Sequence, residues 1–262
     1  MRSVKIKEVI DALERFAPLP LQEEYDNAGL QVGLTEAEVS GALLCLDVTE
    51  RVVDEAITKG CNLIVAHHPL IFRKLSQVTD ANYVQRTVIK AIKNDIVIVA
   101  MHTNLDAAFG GVNFKIAERL GLRDVRFFGR EKVVTNPLTD KKVTGGDGVI
   151  GCFDTPLAAD DLILLLKKEF DVECVQANEL LRREIQTVAL CGGSGSFLLQ
   201  DAINAGADAF ITGEMGYHEF FGHEQEIQLC VIGHYQSEQY TTEVLSDVIE
   251  RDCPGVKCCI SE

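Results

Sequence analysis

The chain reads as an α/β protein built from two related lobes. Three observations predict this. Apolar runs of strand length alternate with amphipathic helical stretches. Three of the six histidines stand directly behind such runs. The pattern of the first half also returns near the end. With 262 residues, 47% of them hydrophobic, the chain can bury one large core or two modest ones.

Val4, Val9, Ile10, Leu13 and Phe16 fall at helical spacing and predict an opening helix over residues 4–16, ended by Pro18 and Pro20. Tyr25 to Gly33 is a turn feeding a short strand. Residues 41–48 predict a strand and 50–59 a helix closed by Gly60. The strand Asn62 to Ala66 runs into His67-His68-Pro69. Val84, Val88 and Ile92 mark another helix. Ile96 to Ala100 is the next strand and leads to His102, with Asp106 in the loop beyond. Asn113 to Leu120 is helical and capped by Gly121.

Residues 123–149 mix charge, Gly and Pro, with Asn136-Pro137 and Gly145 to Gly148 as turn signals. They predict the seam between lobes. Val149 to Phe153 reads as a strand and Leu162 to Phe170 as a helix face. The alternation resumes at Val188. The strand Ile227 to Ile232 leads to His234, and Gln236 to Ile249 has a helical pattern. The expected division is an N-terminal α/β lobe over 1–124, a connecting segment over 125–186 and a C-terminal α/β element over 187–262.

The resumption has the form of a duplicated βαβ unit. Leu44-Cys45, Ala56 and Gly60 recur as Leu190-Cys191, Ala202 and Gly206, an offset of 146 residues. His102 and Asp106 recur as His234 and Glu238 at an offset of 132. A shorter second connection accounts for the difference.

Composition excludes several classes. Lys and Arg total 25 against 40 Asp and Glu, a formal charge of -15, so a polyanion would be repelled and nucleic-acid binding is not expected. No apolar stretch reaches membrane-spanning length, and the start lacks a signal-peptide core. A cytoplasmic protein with no membrane partner is expected. Nine cysteines are scattered without paired C-x-x-C motifs, so a structural zinc site is not expected. Cys253, Cys258 and Cys259 read as an inert tail.

His67, His68, Asp106, His234 and Glu238 supply imidazole and carboxylate at strand ends, where α/β proteins keep their chemistry. Adjacent histidines in an extended segment point to opposite faces, so two neighbouring ions can take one each. His234 and Glu238 fall one helical turn apart. The ligand types suit two divalent ions, and zinc, iron, manganese, nickel or cobalt would all be accepted. His102 is a ligand, an orienting residue or a general base. His218 reads as an orienting or substrate contact, and the Cys191 to Ser196 run as a tight structural turn rather than an anion cradle.

These residues stand in segments that resemble a family. The segments are Asp26 to Gly33, Ala66 to Phe72, His102 to Ala108, Gly192 to Gly195, Thr212 to Glu214 and Gly233 to Glu238. They are similar to those of the dinuclear-metal GTP cyclohydrolase 1 type 2 homologues, the Nif3-like proteins. The resemblance implies two related lobes with a metal cleft between them, and metal ligands at His67, His68, Asp106, His234 and Glu238. It implies a ring-shaped homohexamer. Glu214 stands where the family usually has Asp. The expected function is a metal-dependent hydrolase of a small nucleotide-like or phosphorylated substrate, with His102 or Glu238 moving protons. The rival is a non-catalytic metal-binding regulator, chaperone or interaction protein.

Overall fold

A computed structural model describes residues 3–262. The chain divides into two compact units. The first comprises Met1–Ala108, Val134–Val143 and Thr241–Glu262, and the second Phe109–Val133 and Thr144–Tyr240.

The first unit opens with α1 (Ile6–Phe16), which buries Ile6, Val9, Ile10 and Leu13, as the periodicity requires. β1 (Gly29–Val32) and β2 (Ala42–Cys45) follow. α2 (Glu50–Lys59) starts at Thr49, whose hydroxyl accepts from the Val52 N–H, and stops at Gly60 with φ 70°. β3 (Leu63–Ala66), α3 (Tyr83–Lys93) and β4 (Val97–Ala100) repeat the alternation. Every residue of β2, β3 and β4 is buried. Parallel strands covered on both faces give this unbroken apolar signature, and each large side chain so buried contributes about 1.5–3 kcal/mol. A one-turn helix, α4 (Thr103–Asp106), comes next. Asp106 therefore sits on a helical turn and not in the expected open loop.

α5 (Val112–Arg119) begins the second unit. The expected seam is instead the two longest strands of the chain, β5 (Arg123–Thr135) and β6 (Lys142–Leu157). Most of β5 faces solvent, so it carries no apolar alternation to be read. The tip between these strands belongs to the first unit, where Asn136 donates to the carbonyls of Glu14 and Arg15. α6 (Ala159–Phe170), β7 (Gln176–Ala177), β8 (Ile185–Cys191), α7 (Leu199–Asn204), β9 (Ala209–Thr212) and β10 (Gln228–Val231) follow.

The helix expected over 236–249 is two helices, α8 (His234–Glu238) and α9 (Thr241–Asp252). The break is pinned because Gln239 and the Tyr240 hydroxyl donate to the carbonyls of Phe170 and Glu169. α9 then belongs to the first unit and packs on α1. The chain ends in β11 (Cys258–Ile260), which pairs in parallel with β2. Cys258 and Cys259 thus lie in an edge strand and Cys253 is buried just after α9, so these residues are not a loose tail. The expected division at 124/125 and 186/187 differs from these units on both counts: the long strands belong mainly to the second, and residues 241–262 to the first.

The protein is α/β with two sheets, ordered β1-β4-β3-β2-β11 and β5-β6-β8-β9-β10-β7. The sequence repeat is visible in their register. Ala42 pairs with Leu63 and Cys45 with Ala66, while Val188 pairs with Ala209 and Cys191 with Thr212. The displacement matches the one read from the sequence. The next strands pair as Ala66 with Ala100 and Thr212 with Val231. The histidines beyond them are displaced by one residue more than the strands. Gly233, at φ 96°, lies in the second connection. No described helix is long and apolar enough to cross a membrane.

Candidate metal centre

In the first unit, three neighbouring parallel strands deliver the site at their C-terminal ends. Asp47 lies just beyond β2, His67 and His68 follow β3, and His102 follows β4. His67 is fully buried. Its Nδ1 lies 2.8 Å from the Met101 carbonyl. A carbonyl only accepts, so Nδ1 carries the hydrogen and the lone pair of the neutral ring lies at Nε2. That nitrogen is 3.6 Å from Asp106 Oδ1. His68 Nδ1 is 2.9 Å from Asp47 Oδ1. His102 Nδ1 is 2.8 Å from Asp26 Oδ1, and Asp26 Oδ2 accepts from the Thr103 N–H at 3.1 Å.

All three imidazoles thus turn Nδ1 toward an oxygen acceptor. Pinning one ring nitrogen in this way orients the other and raises its basicity, as in metal sites. Ligand atoms of His67, His68 and His102 lie within 4.8 Å of one another. The rings of His67 and His68 are 4.8 Å apart at their centroids and share one side of the unit. The expectation that they point to opposite faces is corrected. β3 ends at Ala66, so strand alternation does not govern them. Burial pushes the Asp26 carboxyl up, but hydrogen bonds from His102 and Thr103, the His102 charge and the Asn27 N–H outweigh it and hold the pKa at about 2.

In the second unit, α8 carries His234 and Glu238 one turn apart, as their spacing predicts. His234 Nε2 is 3.1 Å from Glu238 Oε2 and its Nδ1 is 3.0 Å from Glu214 Oε1. The Glu238 hydrogen bond raises the His234 pKa to about 8; burial opposes it, and the charges of Glu238 and Glu214 add to the rise. The Ser194 hydroxyl donates to Glu214, which holds that carboxylate below its usual range.

Gly193 passes against this pair at φ 58°, where a Cβ would strike the Glu238 carboxylate. The Gly-rich turn spends its N–H groups internally. Gly192 donates to Asn113, Gly193 to Ser237 and Gly195 to Thr212. It is a structural turn, as its sequence predicts. Ser237 Oγ also donates to the His234 carbonyl.

The first unit therefore holds His67, His68, His102 and Asp106, and the second holds His234 and Glu238. Asp26, Asp47, Glu214 and the Met101 carbonyl complete the hydrogen bonding. Spacing gives no signal for Asp47, which reaches His68 only because β2 and β3 are paired. Asp26 and His102 meet across 76 residues of chain. Among the described residues His218 has no carboxylate partner; it stacks edge-on against Tyr217 and Phe221, with centroids 5.1 and 6.1 Å away.

Each α/β unit gathers imidazole and carboxylate groups, and His67, His68 and His102 form a cluster that could hold a metal ion. The chain belongs to the Duf34/NIF3 (NGG1p interacting factor 3) family, whose profile matches residues 4–262. It is 32% identical over 250 residues to the GTP cyclohydrolase 1 type 2 homolog of Clostridium acetobutylicum, covering 95% of this chain and 90% of that protein. The protein of the same name from Clostridium perfringens is 35% identical over 237 residues, covering 90% and 87%. The solved Bacillus cereus protein related to NIF3 superposes with a TM-score of 0.85 at 25% identity, covering 100% of this chain and 98% of that one.

Proposed function

We propose that His67, His68, Asp106, His234 and Glu238 together hold two divalent metal ions and that the chain is a metal-dependent hydrolase. The substrate is a small nucleotide-like or phosphorylated molecule. The supporting observation is the shared hydrogen-bonding state of the histidines. His67, His68 and His102 each turn Nδ1 to an oxygen, which prepares Nε2 as a ligand atom. A set of structural histidines has no need of that uniformity.

Two bound ions would supply Lewis acidity and lower the pKa of water in the site. The chain's own groups orient and move protons. The Asp26 carboxylate fixes the His102 ring, so that its Nε2 can take a proton as general base. Glu238, nearly buried against His234, is the second candidate for proton transfer. Relatives named GTP cyclohydrolase 1 type 2 homolog favour a purine nucleotide as substrate. A cytoplasmic homohexamer, the ring-shaped assembly implied by the family resemblance, belongs to the same reading.

The test is elemental analysis of protein purified without added metals, alongside Glu238→Ala and His68→Ala. Two equivalents in the parent, falling to one or none in each variant, support the centre. Metal-stimulated turnover of a nucleotide and phosphoester panel, lost in His68→Ala, supports catalysis. Two bound metals without turnover would leave the non-catalytic metal-binding reading in its place.

A further inference from the structure

Outside the histidine clusters, the second unit carries two adjoining cavities, and both are lined by Gln176. One, of about 480 Å³, is bounded by Ser194, Glu214 and Met215. Glu214 is the carboxylate that holds His234 Nδ1. The other, of about 520 Å³, is bounded by Asn178, Glu179, Tyr217 and Phe221. Gln176 lies on the short edge strand β7, paired with Val231, three residues before His234.

The aromatic wall is costly to expose and is rigidly built. Tyr217 is 74% and Phe221 55% exposed. Their rings meet edge to face at 5.2 Å. They stand on a one-turn 3-10 helix, Tyr217–Phe220, and the residue directly after it. The Glu219 side chain accepts from the Gly216 N–H and the Glu219 N–H donates to the Gly216 carbonyl. Large apolar groups held in water by a fixed turn mark a contact surface.

The polar part of the lining selects the occupant. Among the described residues no Lys or Arg lines either cavity, whereas Glu214, Glu179 and Glu224 do. A phosphate would be repelled here. A planar ring bearing N–H groups would be accepted. Its face stacks on the aromatic wall, the Gln176 amide can both donate and accept at its edge, and carboxylates receive its N–H groups.

We infer that these cavities form the ring-binding subsite of the protein and take a neutral or cationic amino-substituted nitrogen heterocycle, with Gln176, Tyr217 and Phe221 as its contacts. The inference rests on the proposed function only in placing the ligand's reacting end toward Glu214 and His234. Any phosphates would then extend away from this acidic surface.

The test is titration with 2-aminopurine riboside, whose fluorescence is quenched on stacking; the chain contains no tryptophan. Binding is measured in chelator-treated and in metal-loaded protein. The expected result is saturable quenching in both, weakened about ten-fold by Gln176→Ala and by Phe221→Ala. Adenosine should compete and ribose 5-phosphate should not. Both substitutions are at exposed positions, and unchanged melting temperatures would confirm intact folds. Absence of saturable quenching, or quenching unaltered by both substitutions, overturns the subsite. A protein that binds two metals without quenching loses this subsite alone. One that quenches without binding metal loses the metal-centre reading and keeps the subsite.

Discussion

The two units prepare their histidines in different ways. The first surrounds His67, His68 and His102 with acceptors on the Nδ1 side: a carbonyl for His67, an exposed carboxylate for His68 and a buried one for His102. The second sets His234 between two carboxylates, one at each ring nitrogen. His67 therefore has Nδ1 committed to a carbonyl, which leaves Nε2 to face Asp106. His234, with a pKa of about 8, is protonated near neutrality when no ion is bound. A cation must displace that proton before His234 can ligate. One repeat, read twice, has yielded a preset half and a proton-gated half.

The sharpest test of the preset half is Asp26→Ala. The side chain of Asp26 is fully buried, and its loss leaves His102 and the start of α4 without their acceptor. Removing one member of a buried pair costs about 3 kcal/mol, readable by chemical denaturation. Metal affinity should fall about 10–100-fold. Unchanged affinity would mean that the hydrogen bond serves folding alone.

Gly193→Ala probes the gated half. The new methyl meets Glu238 at a left-handed backbone position, so a cost of about 2 kcal/mol is expected. Metal content should fall by one equivalent, and full occupancy would remove Glu238 from the ligand set.

A smaller effect follows from pH. In chelator-treated protein the folded pKa of His234 lies above its ordinary 6.5. Its contribution is therefore complete below about pH 6.5 and fades as pH rises through about 8. His234 is partly exposed, so the change should be only about 1 kcal/mol. Denaturation at pH 6 and pH 8.5, repeated with His234→Gln, measures it. A parallel pH dependence in the variant would assign the slope to another group. The smallest effect is expected for Asp47→Ala, because Asp47 is 64% exposed. Stability should change by less than about 0.5 kcal/mol and metal affinity by less than about ten-fold. A larger loss of affinity would show that orientation of His68 depends on this carboxylate more than its exposure suggests.

The fold was legible wherever burial wrote a pattern. The α2 boundaries follow from Thr49 and Gly60, and β2, β3 and β4 from unbroken apolar runs. Of the long strands, only the buried stretch Val149 to Phe153 of β6 was legible; β5 is largely solvated and the start of β6 is rich in Gly and charge, so no period marks them. The break between α8 and α9 was hidden because Gln239 and Tyr240 are tied to the distant end of α6.

For the site, sequence alone determined which imidazoles and carboxylates stand at strand and helix ends, because hydrophobic periodicity and short spacings are local properties. Tertiary structure decided which oxygen each ring nitrogen meets. Asp26 reaches His102 through the pairing of β1 with β4, and Asp47 reaches His68 through the pairing of β2 with β3. It also set the Gln176 cavities, since solvent exposure and enclosed volume arise only when separate segments pack. The tautomer of His67 is the clearest case: it depends on a backbone carbonyl, and every residue has one.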